Sequence, residues 1–178
     1  MSQRLEHDWL AVDLPHNVDL DPSTYLHSAY AFNHYRSELP CGVRIGEHTA
    51  LYDAAMFELG PAGSVEIGAY CTVYGTQFVT NSRIVIGDFA YLSYEVYLSD
   101  IAWPQVPAEH KPVAGPDPAI VIGDDCWVGM RSVLLAGARL GDGVIVGAGS
   151  VVNFEVPAYS IVAGNPASVV AQVPRRLA

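Results

Sequence analysis

Positive charge is the scarcest feature of this chain. It has one lysine, Lys111, and 9 Lys and Arg against 19 Asp and Glu, a formal net charge of −10. Nucleic acid and anionic membrane surfaces are met by clustered Lys and Arg, so neither is expected as a partner. Cysteine is also sparse. Cys41, Cys71 and Cys126 are odd in number and lack CxxC spacing, which argues against a disulfide scaffold or a zinc site, and no metal is expected. No apolar run approaches the ~20 residues that a bilayer crossing needs. Residues 1–10 show no basic flank leading into an apolar stretch, so no signal peptide is read. The expectation is one soluble cytoplasmic domain.

What the chain does have is a period of six. Ile122, Val128, Leu134, Leu140, Val146 and Val152 are evenly spaced, and Gly123, Gly129, Gly141 and Gly147 follow four of them. The beat appears earlier in Ile86, Leu92 and Leu98, in Ile67, Val73 and Val79, and in Ile45 and Leu51. Two residues before each aliphatic stands a compact side chain, such as Thr49, Ala90, Ser132 or Ser150. Cys71 and Cys126 share this column and read as small core fillers; Gln77 fits it poorly.

Six is neither the helical period nor simple alternation. It suits a chain that turns a corner every six residues, so that three short strands close one triangular coil. Coils then stack at the ~4.8 Å spacing of hydrogen-bonded strands. The glycine after the aliphatic is expected to supply open backbone angles at the corner. The prediction is an all-β parallel β-helix of about five coils over 45–166. Within it, Trp103 to Ala119 carries five prolines and reads as an extruded loop, because proline cannot donate to a ladder. Gly60 to Gly63 reads as a smaller bulge. Residues 1–44 lack the beat and are expected to cap the first coil, with a helix near 22–36 after the start signal Asp21-Pro22-Ser23. Past Pro157 the chain is expected to leave the prism, and 167–178 to fold back as a tail.

Residues 122–129 (Ile-Gly-Asp-Asp-Cys-Trp-Val-Gly), 147–152 (Gly-Ala-Gly-Ser-Val-Val) and 161–167 (Ile-Val-Ala-Gly-Asn-Pro-Ala) together resemble the hexapeptide-repeat acyltransferases. That group includes the maltose, galactoside and xenobiotic O-acetyltransferases. The resemblance implies a left-handed prism, a homotrimer, and acyl-CoA (acetyl-CoA by default) lying along the groove between adjacent prisms. It also implies cofactor contacts at Trp127, Gly129 and Met130, at Ala148, Gly149 and Ser150, and at Asn165 and Pro166. Trp127 equally suits an aromatic that packs a subunit interface, and the small residues equally suit simple turn geometry.

Two departures from the family pattern stand out. Relatives carry basic residues just after the Asn-Pro pair, whereas Ser168 and Ala171 stand here; Arg175 and Arg176 are the substitutes for meeting the CoA phosphates. Relatives also carry a catalytic histidine near the start of the extruded loop, where this chain has Trp103. The candidate base is then His110 in the same loop, oriented by Glu109 or Asp100, because imidazole titrates near operating pH.

The expected function is transfer of an acyl group from coenzyme A to a hydroxyl or amine of a small acceptor such as a sugar. Tyr91, Tyr94 and Tyr97 are candidates for stacking on that acceptor. The alternative is a CoA-binding or scaffold protein without catalysis. A carbonic anhydrase on the same prism would need three zinc-binding histidines on adjacent coils, and no histidine lies between His48 and His110.

Overall fold

The computed structural model describes residues 4–101 and 117–173. It is a parallel β-solenoid of about six turns that matches a left-handed β-helix. Three sheets form the faces of the prism, with seven, eight and five strands. The first face runs from Val18–Leu20 to Glu155–Val156, and the second from Tyr25–Leu26 to Ala167–Gln172. The third runs from Met56–Leu59 to Val151–Val152.

Each face buries one inward column. On the first it is Leu20, Ile45, Ile67, Ile86, Ile122, Leu140 and Val156, each paired with the next. On the second it is Leu26, Leu51, Val73, Leu92, Val128, Val146 and Val162. On the third, Phe57, Phe78, Leu98, Leu134 and Val152 stack in turn. All are buried, and each contributes roughly 1.5–3 kcal/mol.

The beat starts earlier than expected. Leu20, Leu26 and Phe32 are six apart and form an additional first coil. No helix spans 22–36. Tyr25–Leu26 is a strand paired with Ala50–Leu51, and only Ala29–Phe32 forms a 3₁₀ turn, capped by Ser28. The parallel ladder overrides the local helix signal at this point. Capping falls to an irregular segment before Val18. There Leu14 is buried, the His7 ring bonds the Leu26 carbonyl at 2.8 Å, and Asp8 accepts from the Ala29 N–H at 2.6 Å.

The third face carries a second correction. Phe78, not Val79, lies in register between Phe57 and Leu98, so Thr76 rather than Gln77 holds the small inward position. The step from Val73 to Phe78 is thus one residue short of six, and the step from Phe78 to Ile86 is two residues longer. Beyond Pro157 the solenoid continues: Ser160–Gly164 pairs in parallel with Ile145–Val146, and Val162 is fully buried. Ala167–Gln172 then folds back antiparallel, as expected for the tail.

The corner glycines serve a different purpose from the one expected. Gly46, Gly87, Gly123 and Gly141 are absent from the residues with positive φ. A Cβ on Gly46 would lie 2.8 Å from the Gly68 carbonyl carbon, and one on Gly123 would lie 2.8 Å from the Asp142 nitrogen. Glycine is needed because the next coil crosses there. The left-handed angle falls two residues later, at His48, Tyr70, Phe89, Asp125 and Gly143, with φ from 54° to 65°. Four of these residues donate their N–H to the coil beneath at 2.8–2.9 Å, which offsets the strain: Tyr70, Phe89, Asp125 and Gly143. Asp88, Asp124 and Asp142 add a hook each. Their carboxylates accept the N–H of Ala69, Asp88 and Asp124 at 2.7, 2.8 and 3.0 Å.

Candidate functional site

Outward residues of the second face decide where a ligand fits. In the position just after each inward aliphatic, the coils present Tyr52, Tyr74, Ser93, Gly129, Gly147 and Ala163. Two bulky rings give way to four small residues. That drop leaves a trench, and its wall is the column just before the aliphatic, Tyr91, Trp127 and Ile145. The result is a groove of about 450 Å³ lined also by Tyr94, Met130 and Ala148.

The lining is apolar with few polar groups, and Trp127 and Met130 are 51% and 45% exposed. Burying apolar area of that size on a monomer is costly to leave undone, so such surfaces mark contact sites. Trp127 is held across the floor by its indole N–H, which donates to the Ser93 hydroxyl at 3.1 Å. A Cβ on Gly129 would lie 2.6 Å from the Ala148 nitrogen, so the floor cannot rise at that point.

Of the expected cofactor contacts, Trp127, Gly129, Met130 and Ala148 meet in this groove. Gly149 follows at the corner with φ 69°. Ser150 does not line the groove: it is fully buried, donates its hydroxyl to the Gly147 carbonyl at 2.6 Å and accepts from the Gly164 N–H at 3.2 Å. It braces the floor from beneath. Asn165 and Pro166 form an exposed cis-peptide turn into the final strand, outside the groove lining. Ser93 and Ile145 were not expected here, and Gly147 was expected only as a repeat glycine. Their signal is the columns flanking Leu92, Val128 and Val146 on the outer face.

Asp100 is tied into the prism. Its carboxylate accepts from the Thr80 hydroxyl and from the Asn81 N–H at 3.0 Å. On the far side of residues 102–116, Asp117 accepts from Arg139 at 2.5 Å and from the Ala119 N–H at 3.0 Å. The expected extruded loop, Trp103 to Ala119, lies outside the described residues up to 116. His110, Glu109, Arg175 and Arg176 lie outside the described residues. Tyr91 and Tyr94 border the groove, whereas Tyr97 belongs to the third face. Cys71 and Cys126 are buried as expected. Burial pushes both thiols up, Cys126 to about 11. Among the described residues no cluster of His, Cys, Asp or Glu could hold a metal.

Residues 119–153 match the family model described as bacterial transferase hexapeptide (six repeats). A chloramphenicol acetyltransferase from Agrobacterium fabrum is 38% identical over 114 residues, 63% of this chain and 49% of that protein. A 2,3,4,5-tetrahydropyridine-2,6-dicarboxylate N-acetyltransferase from Staphylococcus aureus is 47% identical over 53 residues, 30% of this chain and 22% of that protein. The matches thus span half or less of the length of these curated relatives. Among solved structures, a variant of an N-acyltransferase from Bacillus cereus, in complex with dTDP and coenzyme A, superposes with a TM-score of 0.60. That match has 19% identity and covers 93% of this chain and 82% of the other, a likeness of fold.

Proposed function

We propose that this hexapeptide-repeat β-helix protein is an acyltransferase that moves an acyl group, acetyl by default, from coenzyme A to a hydroxyl or amine of a small acceptor such as a sugar. The observation that carries the reading is the small-floored groove on the second face, with Trp127 and Met130 exposed in it. The acetyltransferase names of the two sequence relatives and the coenzyme A bound to the structural neighbour support it. A thin pantetheine arm suits a mostly apolar trench.

In this reading His110 is the general base. It takes the proton from the acceptor as the acceptor oxygen or nitrogen attacks the thioester carbonyl, with Glu109 or Asp100 orienting the ring. A backbone N–H of the adjacent coil stabilises the developing oxyanion. The C–S bond then breaks, and the thiolate leaves with the proton that the base returns. Arg175 and Arg176 meet the phosphates.

The protein acts as a homotrimer in this proposal, as the resemblance to the hexapeptide-repeat acyltransferases implies.

Calorimetric titration with acetyl-CoA, followed by thioester loss against a panel of sugars and amines, tests the reading. Binding with turnover is expected, and His110→Ala is expected to lower kcat by roughly 10²–10⁴-fold with binding retained. Full turnover in that variant would remove His110 as the base. Binding without turnover on a broad panel favours the non-catalytic scaffold, for which Trp103 in place of the usual histidine is the specific support.

A further inference from the structure

We infer that Tyr94, backed by Tyr74, is the end wall of the groove and limits the protein to short acyl groups; the inference rests on the acyl-CoA reading above. The groove floor begins at Ser93, because the same column holds Tyr74 in the preceding coil. Tyr94 lines the groove, and its ring stacks on Tyr74 at 4.7 Å with an interplanar angle of 27°. Tyr74 stacks in turn on Tyr52 at 5.0 Å and 18°, Tyr52 contacts Tyr25 at 5.3 Å, and Tyr25 stacks on the His7 ring at 5.1 Å.

These rings turn their faces to one another along the prism axis. Tyr74 contacts both Tyr52 and Tyr94, so Tyr94 is braced from behind by a continuous row of rings. That makes it a buttressed stop. A chain extending past Ser93 meets the Tyr94 ring and, behind it, four more rings in contact.

The uncharged acyl end of the co-substrate is the end that suits this wall. The Tyr74 phenol lies above its ordinary value, through desolvation first, then the Tyr91, Tyr94 and Tyr52 hydroxyls and the Asp53 carboxylate. The nearby Glu95 carboxylate is already paired with Arg131 at 2.7 Å. The wall offers rings and no unpaired charge, which suits an uncharged acyl group, and the trench runs from it toward the small residues Gly147 and Ala148.

The test is calorimetric affinity for acetyl-CoA and hexanoyl-CoA in the wild-type protein, Tyr94→Ala and Tyr94→Phe. The readout is the ratio of the two Kd values, which a partly unfolded sample does not shift. The wild type is expected to favour acetyl-CoA. Tyr94→Ala is expected to move the ratio toward hexanoyl-CoA by roughly 10-fold, the equivalent of about two newly buried methylenes. Tyr94→Phe, which keeps the ring, is expected to retain the wild-type ratio. An unchanged ratio in Tyr94→Ala with coenzyme A binding intact overturns the end wall alone. Failure of coenzyme A and both acyl-CoA species to bind the wild type overturns the acyl-CoA reading together with it.

Discussion

A single hydrogen-for-methyl exchange separates two accounts of the corner glycines. If they served backbone freedom, Gly123→Ala would be silent, since Gly123 is not in the left-handed region. Because the added Cβ meets Asp142 of the next coil, Gly123→Ala is expected to cost about 1–3 kcal/mol in denaturant unfolding. Gly137, with φ 80° and no atom within 4 Å of an added Cβ, is the opposite case. Gly137→Asn is expected to cost less than about 1 kcal/mol, since Asn tolerates that region. Cys126 supplies a pH-dependent counterpart. Its thiol is held at about 11 in the folded chain against 9.0 unfolded. The protonated form is favoured by folding, so its contribution to stability is full below pH 9 and declines as pH rises from there to about 11. Cys126→Ala should flatten that part of the stability–pH curve, and native-state alkylation should reach the half-buried Cys41 before Cys71 or Cys126.

Strands of two to six residues are held here by stacking rather than by length. The aromatic rungs on the third face show this most clearly: Phe32 stacks on Phe57 at 5.0 Å and 8°, and Phe57 on Phe78 at 4.8 Å and 6°. Phe78→Ala is expected to cost about 3–5 kcal/mol, read from the shift in urea midpoint at constant slope. Phe78 also marks where the sequence was hard to read. Val79, six residues after Val73, keeps the count, whereas Phe78 is five after it, and only the pairing with Leu98 decides for Phe78. Leu20, Leu26 and Phe32 kept the beat in plain sight. Their glycines are missing and 25 residues separate Leu20 from Ile45, so the first coil resembled a helical cap. From Ile86 to Leu98 and from Ile122 to Val152, where aliphatic, glycine and small residue recur together, the predicted columns and the observed ones coincide; past Pro157 the prism continues where the chain was expected to leave it. The groove lagged behind the fold for the same reason. Trp127, Gly129, Gly147 and Ala148 belong to the quoted motifs and Met130 adjoins one, but Ser93 becomes a floor residue only through register.

At the scale of the whole molecule, a prism of parallel coils leaves a strand edge at each end, and exposed edges recruit other chains. At the C-terminal end, the antiparallel strand Ala167–Gln172 lies over Ser160–Gly164. Ending the chain after Gly164 bares that edge, and light scattering is expected to report association at concentrations where the full chain is stable. The segment between Ile101 and Asp117 raises a different matter. Ile84–Ile86 pairs residue for residue with Ile120–Ile122, although a step of 36 residues separates Ile84 from Ile120. The ladder closes at Asp100 on one side and at Asp117 and Arg139 on the other, without reference to what lies between. Doubling a loop adds only about 0.6 kcal/mol of closure entropy. Length in the intervening segment is thus nearly neutral for the prism: insertions or deletions there leave the ladder register of both flanks unchanged.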